Sequence, residues 1–300
     1  MARPHLSRLM RQEAIDGYMF ISPWLIGFVL FVAFPMAFSL VLSMMQWDLF
    51  SPAKFVGLQN FNWLFFQQPL VWKSLWNTIY FTLVSVPFTL AVSLFAALLL
   101  NQSIRGLSFF RTFFYLPSVV PAVSSAILWM WIYNPTRGLA NVVMSALHLP
   151  TSQWIFSPIT SKMSLVLMGF WAVGNTMIIF LAGLQGIPLS LYEAAEIDGA
   201  SWWHRFRHVT LPMLSPVILF NMILGVVASF QVFTNAFLMT QGGPQNSTLF
   251  SVLYLYRVGF EQFNMGPASA LAWMLFAIIM AFTLVQLRMS DAWVYYEGKV

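Results

Sequence analysis

Six long apolar runs, none interrupted by a charged side chain, constrain this sequence more than any other feature. They lie at about residues 18–45, 74–100, 112–133, 163–186, 213–240 and 267–287. Each is near or above the ~20 residues that a helix needs to cross the hydrocarbon of a bilayer. A helix closes its own backbone hydrogen bonds, so such a run can stand in lipid without unpaired N–H and C=O groups. The 14 Lys and Arg and the 9 Asp and Glu all fall between the runs. Charged residues make up only 8% of the 300, against roughly 25% in an ordinary soluble domain. The expected fold is therefore all-α and integral to a membrane, with six transmembrane helices in a single domain over residues 1–300.

The basic residues orient it. If both ends, the loop with Arg105 and Arg111, and the loop with Arg205 and Arg207 share one side, that side collects Arg3, Arg8, Arg11, Arg288 and Lys299 as well. The other side receives Lys54, Lys73, Arg137, Lys162 and Arg257. Basic residues gather on the cytoplasmic face, so both termini are expected there, in agreement with an even number of spans. The net charge of +5 is read as topology and not as an affinity for nucleic acid. The first run is too long for the apolar region of a signal peptide and ends at no small-residue cleavage site, so it reads as an uncleaved span. The outer segments 46–73, 134–162 and 241–266 are too short for separate domains. Trp47, Trp72, Trp76, Trp129, Trp131 and Tyr133 sit near outer span ends, as an interfacial aromatic belt does.

Chemistry of the catalytic kind is hard to find. There is no cysteine, hence no disulfide, thiolate metal site or cysteine nucleophile. Zinc-protease, nucleophile-elbow and phosphate-loop motifs are missing. His204 and His208 have ligand spacing but no third ligand nearby. Spans without charge offer no proton relay and no voltage sensor.

Two polar features remain. The first is the central loop, 187–212, with Glu193-Ala194-Ala195-Glu196-Ile197-Asp198-Gly199-Ala200 and Leu211-Pro212. Ser190 with Glu193 has capping-box spacing, which predicts a short helix over about 191–197. Asp198-Gly199 ends it, and Ser201 can cap a second short helix over 202–208. Glu193 and Glu196 share a face and could meet a basic partner. Such a helix could carry force from a soluble machine to the spans; the alternative is a helix lying on lipid. The second feature is the uncharged polar residues within spans. In the fifth, Asn221, Gly225, Ala228, Gln231, Val232 and Asn235 fall on one arc at helical spacing, with Ser229 at its border. In the fourth, Trp171 and Asn175 are one turn apart. Amides beside an aromatic face suit a neutral hydroxylated solute. They equally suit helix-to-helix adhesion.

The segment EAAEIDGA followed by VTLP resembles the EAA loop of ATP-binding-cassette importer permeases. Phe55-Val56-Gly57-Leu58 with Asn60-Phe61, Trp76-Asn77-Thr78, Arg111 through Pro117, Asn134-Pro135 with Gly138 and Asn141, Thr240 through Pro244, and Tyr254 through Phe260 are similar to the carbohydrate-uptake, maltose-type group. The likeness runs over about residues 18–290. It implies a type I importer permease fold in a bacterial or archaeal plasma membrane, in the compact six-span form without the large outer domain of some members. Gly266-Pro267-Ala268 departs from the usual start of the sixth span. The resemblance also implies partners: an ATPase subunit dimer, a second permease chain, an extracytoplasmic solute-binding protein and a carbohydrate. Carried onto this chain, Glu193, Ala194, Ala195, Asp198 and Gly199 would form the coupling helix. No cofactor is expected here; ATP and Mg would be bound by the ATPase. Trp171, Asn175, Asn221, Ser229, Gln231 and Asn235 are candidates for the solute path. Two readings of other classes stand beside it, a self-sufficient passive facilitator or carrier and an intramembrane enzyme. Ion coupling would need charges in the spans, which are absent, while passive facilitation remains allowed; the enzyme reading lacks a catalytic set.

Overall fold

The computed structural model describes residues 8–102 and 105–295. Arg3 and Lys299, counted with the inner side, lie outside them. Among the described residues four helices are long and apolar enough to cross a bilayer: α1 (Met10–Ser43), α3 (Pro69–Leu100), α10 (Trp202–Phe230) and α12 (Met265–Ser290). Two bent pairs make six spans if each pair is one: α4 (Leu107–Val119) with α5 (Ala122–Ile132), and α7 (Ser161–Ala172) with α8 (Gly174–Gln185). Short helices fill the connections: α2 (Gln59–Asn62), α6 (Leu139–Ala146), α9 (Leu189–Ile197) and α11 (Ser251–Tyr256).

Proline places the sharper bend. Val120 is extended at φ −67° and ψ 129°, as a residue before proline prefers, and Pro121 follows at ψ 140°. The two helices diverge by 98° there. Pro87, in contrast, lies inside α3 without ending it. α7 and α8 meet at 51° through a 3₁₀ turn, Gly169–Ala172. Gly174 at the joint needs to be glycine: a Cβ would stand 2.7 Å from the Ser118 Oγ and 2.8 Å from the Tyr115 Cα.

The chain forms two compact units, Met1–Gln67 with Val258–Trp273, and Gln68–Arg257 with Met274–Val300. In the first unit, α1 buries none of its most apolar stretch within the chain. A helix apolar all round and uncovered by protein has lipid as its natural solvent. A two-stranded hairpin follows, β1 (Met45–Gln46) against β2 (Lys54–Phe55). Asn60 is buried and donates to the Ser43 and Met45 carbonyls, each at 2.8 Å. Gly266, in the first turn of α12, packs against the Met45 carbonyl so closely that a Cβ would collide with it.

In the second unit α3 is the hub, packed on α8 and α10. Ala96, Ala97 and Leu100 meet Met177, Phe180, Leu181, Leu184 and Leu214 in one cluster; Val86 meets Val226, Phe230 and Leu275 in another. Small residues allow the approach, as Gly183 does against Val217.

The loop between Thr240 and Ser251 is tied down by side chains. Asn77 donates to the Asn246 carbonyl (2.8 Å) and the Leu249 carbonyl (3.1 Å), and Lys73 donates to the Gln245 carbonyl (2.8 Å). Lys162 donates to the Asn77 Oδ1 at 3.1 Å and lies over the Tyr80 ring. Thr78 accepts from the Ser251 N–H, and the Ser161 and Ser247 hydroxyls share a hydrogen bond. In the segment after α5, the Asn141 Oδ1 accepts from the Ser152 N–H and the Trp154 indole, while its Nδ2 donates to the Pro135 and Ser152 carbonyls. Every hydrogen-bonding position of that amide is thus used, which orders the turn.

Candidate functional site

The acidic helix α9 begins differently from the spacing expectation. Pro188 takes the cap position in an extended conformation, and its carbonyl accepts from the Leu191 N–H at 3.2 Å. Ser190 is already the second helical residue, so the Ser190–Glu193 capping box does not form. The restricted φ of proline positions the chain for helix entry two residues earlier than the serine would.

The end of α9 follows the sequence closely. Gly199 has φ +74°, its N–H donates to the Glu196 carbonyl (3.0 Å), and the Ala200 N–H donates to the Ala195 carbonyl (2.9 Å). That pair of bonds is a Schellman motif, with glycine in the left-handed position that a side chain would strain. Ser201 caps the next helix, its Oγ accepting from the His204 N–H. That helix is not the separate short segment expected over 202–208. It continues through a π turn at Phe206–Thr210 into α10 and reaches Phe230 unbroken.

Two side-chain contacts join α9 to α10. The Tyr192 hydroxyl shares a hydrogen bond of 3.0 Å with the Thr210 hydroxyl, and the Tyr192 ring packs on the α3–α8–α10 cluster. Glu196 forms an ion pair with Arg205 across the Gly199 turn. Glu196 is therefore engaged within the chain, a correction to its reading as half of a free acidic face. Glu193 is exposed and has neither an ion pair nor a side-chain hydrogen bond among the described residues. Around it Ala194 is exposed, Ala195 and Tyr192 are half-buried, Asp198 is exposed, and Ile197 is 86% exposed. Leu189, Trp202 and Trp203 are exposed too. An uncovered apolar group of this kind beside exposed carboxylates suits contact with a protein partner or with the membrane surface.

The polar span residues divide. Asn221 is 4% exposed and donates to the Val217 carbonyl of its own helix at 3.0 Å. Ser229 is 7% exposed and donates to the Thr82 hydroxyl on α3 at 2.9 Å. Both are occupied with packing. The fifth helix stops at Phe230, with Gln231 as its C-cap, so Gln231 and Asn235 do not continue the arc expected of a span running to 240. Gln231 is exposed, and Asn235 stands half-buried before a π turn at Ala236–Thr240 that packs on α5. The Asn235 Oδ1 and the Trp129 Nε1 are buried atoms without a hydrogen-bond partner among the described residues. Trp171 meets the Trp129 ring edge-to-face at 6.3 Å, and Asn175 is exposed.

Residues 89–293 match the family described as "Binding-protein-dependent transport system inner membrane component". The chain belongs to this family. The match takes in α9, the Gly199 turn and all of α10. Similar curated proteins include "Probable ABC transporter permease protein YesP" of Bacillus subtilis (strain 168), 40% identical over 98% of this chain and 96% of that one. "Trehalose/maltose transport system permease protein MalF" of Thermococcus litoralis is 34% identical over 95% of this chain and 96% of its own. Among solved structures, a chain of the "bacterial alginate ABC transporter in complex with alginate pentasaccharide-bound periplasmic protein" superposes with a TM-score of 0.82 at 22% identity, covering 95% of this chain and 97% of that chain. At that identity the likeness concerns the fold, which is that of a type I ABC importer permease. This family member is thus a multi-pass inner-membrane transport subunit.

Sequence reasoning missed the Tyr192–Thr210 and Glu196–Arg205 contacts. Their signal was present but faint: a tyrosine and a glutamate on α9, a threonine and an arginine soon after a capped helix start. It also missed Lys162 and Asn77 as the pair that fixes the loop after Thr240.

Proposed function

We propose that this chain is the permease subunit of an ATP-driven, binding-protein-dependent carbohydrate importer, providing half of the solute path. The carbohydrate class is suggested by the sugar systems after which its relatives are named. Both termini and α9 face the cytoplasm in this reading, and α9 docks into an ATPase subunit. The other half of the path comes from a second permease, and an outer binding protein delivers the solute. ATP and Mg are held by the ATPase dimer and not by this chain.

The observation that carries the reading is the state of α9. Its Glu193, Ala194 and Ile197 are exposed, while Tyr192 and the Glu196–Arg205 pair join it to α10. Closure of the ATPase pair displaces α9. Because α9 is attached to α10 at two points, and α10 runs without a break through to Phe230, the displacement passes into the span. Glu193 meets a basic surface, Ala194 and Ala195 allow close approach, and Asp198 with Gly199 makes the turn. Along the path, Trp171, Asn175, Gln231 and Asn235 have ring faces or amide atoms to offer a sugar. Ser229 ties α10 to α3 at its wall, and Asn221 is bonded within α10.

Glu193→Lys tests the reading. In proteoliposomes containing the whole transporter, uptake is expected to fall about tenfold or more, as for a loss of ~1.4 kcal/mol or more at the docking surface. Basal ATP hydrolysis should persist and lose its stimulation by the binding protein. Unchanged uptake would refute the docking role of Glu193.

A further inference from the structure

The first compact unit contains a cavity of about 600 Å³ that the transport reading does not use. Its wall is built by the hairpin β1–β2, the α2 turn and the start of α12. The frame is fixed: Asn60 pins the end of α1, the Met265 N–H donates to the Trp47 carbonyl at 2.9 Å, and Gly266 sits against the Met45 carbonyl. Five lining amides, Gln46, Gln59, Asn62, Gln67 and Asn264, are solvent-exposed and have no side-chain hydrogen bond among the described residues, so they are open to a ligand. Two half-buried indoles, Trp47 and Trp63, line the same space.

We propose that this cavity binds a neutral hydroxylated solute of the carbohydrate class, as a station separate from the path through the spans. Each amide both donates and accepts, matching a hydroxyl, and an indole face covers the C–H face of a sugar ring. The volume is that of a small-molecule site. An ionic ligand is disfavoured because the lining has one charge of each sign, Asp48 and Lys54. The Asp48 carboxylate is already engaged: Oδ1 accepts from the Phe50 and Ser51 N–H groups, and Oδ2 accepts from the Ser51 hydroxyl. Those bonds hold its pKa below the usual carboxylate value. The topology proposed above puts the cavity on the outer side, where a delivered sugar arrives. The inference rests on that reading for its substrate class and not for its geometry.

The chain has no cysteine, so a single introduced thiol reports one place. In the full-length chain in nanodiscs, Val56→Cys puts a thiol in the cavity wall without removing an amide, and Ser145→Cys on α6 serves as the control. Methanethiosulfonate labelling rates are measured with a panel of neutral sugars (glucose, maltose, trehalose, lactose, maltotriose) and with inorganic phosphate. At least one sugar is expected to slow labelling at position 56 threefold or more while leaving position 145 unchanged. Adding Trp63→Ala, or Asn62→Ala with Gln67→Ala where the tryptophan change harms folding, should abolish the protection. Protection by no sugar, by phosphate alone, or equally in the amide variant would overturn the proposal. The docking test at Glu193 would be untouched by that outcome, since α9 is not involved here.

Discussion

A single residue sets the C-terminal end of α9. Gly199 was legible in the sequence because Asp-Gly after a short helix requires a left-handed backbone, and its φ is +74°. No atom outside its neighbours lies within 4 Å of where a Cβ would be. The cost of Gly199→Ala is thus conformational, about 1–2 kcal/mol. Thermal unfolding in detergent should show a Tm lower by about 2–4 °C per kcal/mol, with Gly199→Asn less affected because asparagine tolerates this conformation better. The Glu196–Arg205 pair was not legible, since two charges nine residues apart meet only once the angle between α9 and α10 is set. Arg205→Ala should release Glu196, loosen α9 from α10, and lower uptake more than ATP hydrolysis.

At the scale of elements, apolar run length located the spans but not their breaks. Pro121 stands at the bend between α4 and α5, but Pro87 leaves α3 unbroken, so a proline in a run does not by itself place a break. Nothing comparable stands at Phe230–Thr234, where no glycine or proline occurs, so the fifth helix was expected to continue and the arc joining Asn221 to Asn235 was drawn on a helix that ends. The loop after Thr240 offers another test. Asn77→Ala would leave the Leu249 carbonyl without its buried side-chain donor, a cost of roughly 1–3 kcal/mol, and would also remove the bonds to the Asn246 carbonyl and Lys162. Limited proteolysis should then cut between Gln241 and Phe250 faster than in the parent, with α3 intact. Unchanged cleavage would mean that the Lys73–Gln245 and Ser161–Ser247 bonds, with the backbone turns, order this loop without Asn77.

For the whole molecule, charge-free runs and the arrangement of basic residues gave the fold class, and the resemblance of the central segment gave the family. The roles of the polar span residues were less readable because amides in spans serve packing and solute equally well, and only burial separates Asn221 from Asn175. The central claim is that α9 is a docking element, which makes this chain one part of a larger machine. The measurement that tests it most directly is affinity purification of the chain from its native membrane in mild detergent, with mass spectrometry and stoichiometry of what accompanies it. The account predicts a second permease and two copies of an ATPase, with less ATPase recovered alongside the Glu193→Lys variant. Recovery of the chain alone, active in passive sugar uptake after reconstitution, would contradict it.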